Sequence, residues 1–180
     1  EVCVSTPTNK ETSRIAVEFE HSTQEEWNVP CPACGAFTPL LWANIVFDRD
    51  KLDEIGCTCP ACGVVSSETE WKEQYINGKF VAAHPERKVR GFHLNALASL
   101  FVDWREIVEK FLTANEEKKK GNIELLKVWT NTEMGETWEE DGEQIETDDL
   151  YKRREKYTCE VPEEVLVLTA GVDVQDDRFE

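Results

Sequence analysis

The same five residues, CPACG, occur at 31–35 and again at 59–63, and this repeat limits the fold more than any other feature of the chain. A Cys-x-x-Cys turn presents two sulfurs to one ion, and the glycine after it lets backbone N–H groups approach those sulfurs. Cys31 and Cys34 make one such turn, and Cys59 and Cys62 make the other. The 24 residues between Cys34 and Cys59 can form a hairpin that brings the two turns together. The pattern is that of a zinc ribbon, a small β unit organised around tetrahedral zinc. With four sulfur ligands no position stays open for water, so the metal is expected to hold structure rather than do chemistry. Two other readings remain at this point: reduced, empty cysteines, or an exchangeable redox pair. The redox reading fits less well, because two identical pairs, each followed by glycine, suit a closed site. Cys57, in CTCPAC, could substitute for Cys59, although a spectator on a strand is the simpler reading. Cys3 and Cys159 sit in apolar contexts and read as small core residues.

The number of cysteines adds a second constraint. There are seven, an odd count with four already in pairs, which favours metal over a disulfide framework. No stretch approaches the roughly twenty apolar residues that cross a bilayer, and EVCVSTPTNK lacks the organisation of a signal peptide. A cytoplasmic protein with no membrane partner is expected. Its 20 basic and 37 acidic residues leave a net charge of −17, which repels a phosphate backbone at long range. The basic clusters at Arg87/Lys88/Arg90, Lys118/Lys119/Lys120 and Lys152/Arg153/Arg154 are each flanked by acids and read as solvated faces. A sequence-specific nucleic-acid binder is therefore disfavoured.

Around the ribbon the expected class is α+β. Residues 1–8 read as a short strand through Val2 and Val4 entering a polar turn. A helix follows, with Ile15, Ala16 and Phe19 on one side and Thr12 or Ser13 as N-cap. Short strands are expected in EWNVPC, PLLWANIVF, VVSS and KFVAA. Ser67 and Glu70 have capping-box spacing for a helix whose C-cap would be Gly78. VRGFHLNAL suggests a strand entering a loop, with His93 a strand residue satisfied by hydrogen bonds. Asp103 and Glu106 would cap a longer helix that buries Ile107, Val108, Phe111 and Leu112 and stops at Gly121. Trp42, Trp104, Trp129 and Trp138 read as core or strap anchors. The run Val165–Val174, apolar on both faces, suggests a central strand.

The segments STPT, SRI, VPCPACG, LLW, CPACG, NGKFV, GFHLNAL, NTEMGETWEE and LTAGVDVQDDRFE occur here in that order. As an ordered set they resemble the large terminase subunit of lambda-like tailed phages, the gpA-type family. The resemblance implies a middle fragment of a two-engine machine encoded by a phage or prophage. One engine would be an N-terminal RecA-like ATPase that drives double-stranded viral DNA. The other would be a C-terminal ribonuclease-H-like nuclease that cuts the DNA using Mg²⁺. Residues 1–25 would be the C-terminal edge of the ATPase domain, 26–83 the zinc ribbon, 84–162 a helical connector and 163–180 the start of the nuclease. Ser5, Thr6, Pro7 and Thr8 match the loop that couples hydrolysis to motion, and Asp173 matches the first metal-binding carboxylate of the nuclease. ATP, the small terminase subunit and the portal would be its further ligands and partners.

The 180 residues hold no G-x-x-x-x-G-K-[ST] phosphate loop and only that one matching carboxylate. The chain alone is thus expected neither to hydrolyse ATP nor to cut DNA, and its end strands to favour self-association. The competing reading is a free-standing zinc-ribbon module that binds a protein partner.

Overall fold

A computed structural model describes residues 2–139 and Val167. The chain divides into two compact units, 1–140 and 141–180, and all the described residues but Val167 belong to the first. Asp173, Cys159, the third basic cluster and the rest of the apolar run Val165–Val174 lie outside the described residues. The first unit mixes helices and strands, and no helix among the described residues is long and apolar enough to cross a membrane.

Two small sheets carry the unit. In the first, β1 (Glu25–Pro30) lies at the centre, antiparallel to β2 (Phe37–Pro39) and to β6 (Lys79–Ala82), with Val29 opposite Thr38 and Trp27 opposite Phe80. A two-residue strand, β7 (Phe92–His93), adds parallel to β1, with Glu25 opposite Phe92. The second sheet is a meander of β3 (Ile45–Asp48), β4 (Lys51–Thr58) and β5 (Val65–Ser67).

The helices are α1 (Arg14–Glu20), α2 (Glu68–Glu73), α3 (Trp104–Lys119) and α4 (Glu124–Trp129). Helix α4 runs into a five-residue π-turn, Thr130–Met134, closed by Gly135 in the left-handed conformation at φ 66°. The capping box of α2 forms as its spacing predicts. The Ser67 hydroxyl accepts from the Glu70 N–H, and the Glu70 carboxylate accepts from the Ser67 N–H at 2.8 Å. Asp103 stands at the N-cap of α3 but makes no side-chain cap, and the Trp104 N–H donates instead to Glu68 Oε1 of α2 at 2.9 Å. A cap from a neighbouring helix ties α3 to α2 as well as ending it.

Tryptophans build the core. Trp71, Trp104 and Trp129 are buried, and each indole N–H donates to a backbone carbonyl, of Cys57, Leu97 and Ile107 respectively. Burial of so large a ring is favourable only when its one polar atom is satisfied. Trp42 closes the cluster, its ring 4.7 Å from both Phe111 and Trp129. Ile107 and Val108 of α3 are fully buried as expected, whereas Phe111 and Leu112 lie at the margin of the core.

Four expectations need correction. Cys3 is exposed and not a core residue. Val2 and Val4 form no strand: both are about nine-tenths exposed, and neither pairs with a neighbour among the described residues. Alternating apolar residues make a strand only where another strand offers its edge. Gly78 closes a 3₁₀ turn at φ −66°, a conformation open to any residue. Glycine is required there by close approach instead, since an added Cβ would lie 2.3 Å from the Trp27 ring. Finally, β4 is a strand that periodicity did not reveal.

Candidate metal centre

Each CPACG turn sits at the tip of a hairpin, the first joining β1 to β2 and the second joining β4 to β5. The two turns are built alike. Gly35 and Gly63 both adopt φ +74°, with nothing within 4 Å of an added Cβ, so they serve the left-handed backbone rather than a tight space. The Gly35 N–H donates to Cys31 O, and the Gly63 N–H to Cys59 O, both at 2.8 Å. The Cys31 and Cys59 N–H groups close the turns on Ala36 O and Val64 O, both at 2.9 Å. The Ala33 N–H points at Cys31 Sγ, 3.4 Å away.

Two identical turns from different sheets bring four sulfurs into one cluster. All four Sγ atoms lie within 4.8 Å of one another, and the pairs Cys31–Cys62 and Cys34–Cys59 are each 3.9 Å apart. Four sulfurs at about 2.3 Å from one ion form a tetrahedron with edges of about 3.8 Å, so the donor set could hold a zinc-sized ion. The separations are far too long for disulfides, and the four thiols are free. Cys31 and Cys59 are buried while Cys34 and Cys62 face outward. Burial raises the Cys59 thiol, but the N–H groups of Cys62 and Ala61, with the thiols of Cys31 and Cys62, outweigh it and bring it down to about 7. The neighbouring thiols move the other way: burial raises Cys31, and Cys62, despite the Val64 N–H that lowers it, is pushed up to about 12 by burial and by the thiols of Cys34, Cys59 and Cys31, because four close thiols cannot all ionise without a cation among them.

Cys57 is outside the cluster. It is buried on β4 between Ile45 and Ser66, and burial first, then the charges of Cys59 and Cys31, push its thiol up to about 12. It is a core thiol, as the simpler reading has it.

A second junction ties residues 83–91 to the start of β1. Thr23 and Glu25 donate their N–H groups to Val89 O and Gly91 O at 2.9 and 2.7 Å, and the His84 N–H donates to Thr23 O at 3.1 Å. Arg90 grips the buried Glu25 carboxylate with two hydrogen bonds, at 2.8 and 2.7 Å, and lies over the Phe92 ring. The Arg90 hydrogen bond, against the opposing effect of burial, holds the Glu25 carboxyl below its ordinary range. Arg87 caps the end of α1 by donating to Glu20 O and, at 2.8 Å, to Ser22 O. Lys119 and Lys120 pair with Glu116 and Glu117 at 2.7 Å. Arg87, Arg90, Lys119 and Lys120 of the first two clusters thus each pair within the protein.

Ser5, Thr6, Pro7 and Thr8 lie in an irregular, mostly exposed segment. The Thr8 N–H donates to the Ser13 hydroxyl at 3.2 Å, and the Pro7 and Thr8 carbonyls accept from the side chain of Asn131. Sequence reasoning missed Asn131, Glu25 and Arg90, since nothing local marks a partner 65 or more residues away. His93 was legible: its Nε2 lies 2.9 Å from Met134 O.

Residues 1–80 match the family model for the phage terminase large subunit gpA, ATPase domain, and residues 89–180 match that for the terminase large subunit gpA, endonuclease domain. The chain belongs to the gpA family of terminase large subunits. It is similar to the terminase large subunit of Escherichia phage lambda, with 39% identity over 90 residues, covering 49% of this chain and 13% of that protein. Along 98% of its length it is also similar to the terminase large subunit of Enterobacteria phage P21, with 28% identity over 202 residues. The chain spans 30% of the P21 protein's length. No solved structure matches it. Both CPACG turns fall within the ATPase match, while β7, α3, α4 and the π-turn fall within the endonuclease match. Residues from both matches therefore share one sheet and one core.

Proposed function

We propose that this chain is the joint of a terminase large subunit, the region through which an ATP-driven DNA translocase is connected to a metal-dependent endonuclease. The observation that carries this reading is the tandem match: an ATPase model and an endonuclease model follow one another on a single chain. The described part of that chain folds as one unit across their boundary, with β7 paired to β1. A free-standing ribbon module has no counterpart of that tandem arrangement.

In this reading the ATPase has a RecA-like fold and the nuclease a ribonuclease-H-like fold, with 1–25, 26–83, 84–162 and 163–180 as domain edge, ribbon, connector and nuclease start. Zinc held by Cys31, Cys34, Cys59 and Cys62 pins the tips of two hairpins and supplies folding energy to a segment whose sheets are small. Ser5, Thr6, Pro7 and Thr8 would sense the γ-phosphate through hydroxyl and backbone groups. Asp173 would be the first carboxylate of a two-Mg²⁺ site, where an acid fixed in an apolar run is matched by a cation. The substrate is double-stranded viral DNA in the host cytoplasm, with the small subunit and portal as partners.

The test uses a full-length large subunit carrying this segment. Asp173→Asn should abolish Mg²⁺-dependent cleavage of double-stranded DNA while leaving ATP hydrolysis within about twofold of the parent. Undiminished cleavage by the variant would refute the assignment.

A further inference from the structure

The loop Ser5–Thr8 is held by a residue from the other half of the molecule. Asn131 Nδ2 donates to two successive carbonyls, Pro7 O at 2.8 Å and Thr8 O at 2.9 Å. Asn131 is 8% exposed and belongs to the π-turn Thr130–Met134 at the end of α4, within the endonuclease match. Ser5–Thr8 lies within the ATPase match.

The grip has a second point. The Trp138 N–H donates to the same Thr8 carbonyl at 3.0 Å, the Lys10 N–H donates to Trp138 O at 3.0 Å, and Asn9 pairs with Trp138 as a parallel bridge. Lys10 and Glu139 add an ion pair. A carbonyl that accepts from both a side-chain amide and a backbone N–H has both lone pairs engaged. Displacement of the loop must then break several bonds at once or carry the π-turn with it.

The π-turn itself is unusual backbone. A single wide turn inside an α-helix weakens the regular ladder and occurs often at functional positions. Here it turns the Asn131 amide towards the loop, and left-handed Gly135 then redirects the chain so that Trp138 runs beside Asn9. Asn9 Oδ1 and Trp138 Nε1 are both buried at this junction without a protein hydrogen-bond partner. The contact is thus well gripped along its backbone without being the fully satisfied packing of a rigid core.

We propose that Asn131 is a positioning residue: together with Trp138 it passes displacement of the Ser5–Thr8 loop into α4 and so to the endonuclease-matching half. The functional part of this inference rests on the reading of Ser5–Thr8 as the loop that couples hydrolysis to motion. The grip itself does not.

Two measurements separate them. In the 180-residue chain, Asn131→Asp keeps the side-chain volume but replaces the amide donor by an acceptor facing two carbonyls. Hydrogen exchange at the Lys10 and Trp138 amides should accelerate about tenfold, the size of two net hydrogen bonds, with α3 unchanged. Asn131→Gln, which retains the donors, should restore most of the protection. Unchanged exchange in Asn131→Asp would overturn the grip. Should that variant not fold, Asn131→Ser carries the same readout.

In a full-length large subunit, Asn131→Asp should leave ATP hydrolysis within about twofold while DNA packaged per ATP falls about tenfold, with Asn131→Gln intermediate. Faster exchange with unchanged packaging per ATP would overturn the coupling role. A parent protein that hydrolyses no ATP would instead defeat the reading of the loop, leaving the exchange result to stand on its own.

Discussion

Replacing Gly91 by alanine should break the junction that joins the ATPase-matching and endonuclease-matching halves. An alanine Cβ there would lie 1.9 Å from Ser22 Oγ, 2.6 Å from Ser22 Cβ and 3.2 Å from the Phe19 ring. Ser22 has little room to yield. It is 1% exposed, its hydroxyl donates to Phe19 O at 2.6 Å, and the same oxygen accepts from the Gln24 N–H at 3.2 Å. Overpacking a site of this kind costs about 1–3 kcal/mol. Rotation of Ser22 away from the new methyl group forfeits two hydrogen bonds worth about 0.5–1.5 kcal/mol each. Against this, alanine restricts the unfolded chain and returns about 0.4–1 kcal/mol. The net expectation is a destabilisation of about 2–4 kcal/mol, or a urea midpoint lowered by about 1 M. The assay is equilibrium urea unfolding at fixed zinc, because bound metal shifts apparent stability. Ser22→Gly removes both clashing atoms, so Gly91→Ala should cost much less in the Ser22→Gly background, with a coupling of about 2 kcal/mol. A midpoint that does not move, or costs that simply add in the double variant, would refute the argument.

Three further outcomes follow from the core and the junction. Tyr75→Phe should cost only about 1 kcal/mol, because Trp104 Nε1 also donates to the Leu97 carbonyl that accepts from Tyr75. Trp104→Ala, which empties a fully buried site, should cost about 3–5 kcal/mol in the same urea assay. Glu25 has its folded pKa depressed by Arg90, so the stability it contributes is present above its ordinary value of 4.5 and lost as pH falls through the lower folded value. Glu25→Gln should accordingly flatten the fall of Tm between pH 5 and pH 3, and an unchanged acid limb would contradict the depressed pKa.

Features set by near neighbours were legible in the sequence. The CPACG turns, the Ser67–Glu70 box and the α3 stripe through Ile107 and Val108 each depend on residues a few positions apart, and each forms. What pairing over distance decides was not. In β4 the buried residues are Ile55, Gly56 and Cys57 at its far end, while its first half, apart from half-buried Leu52, is charged and exposed, so no sustained alternation announces it. Strand β7 is two residues long and exists because β1, more than sixty residues earlier, offers an edge. Val2 and Val4 show the converse: a strand-like pattern left in irregular backbone among the described residues. The donors that hold Pro7, Thr8 and Glu25 came from Asn131 and Arg90, whose roles arise only in three dimensions.

The proposed metal centre requires four thiolates from two hairpins to close on a single ion. Elemental analysis of the purified chain, with cobalt substituted to report geometry, tests this most directly. The expected result is one zinc per chain, with the spectrum of a tetrahedral four-sulfur cobalt site, both lost in Cys31→Ser and both kept in Cys57→Ala. Stoichiometric metal that survives Cys31→Ser, or a folded chain that takes up none, would contradict it.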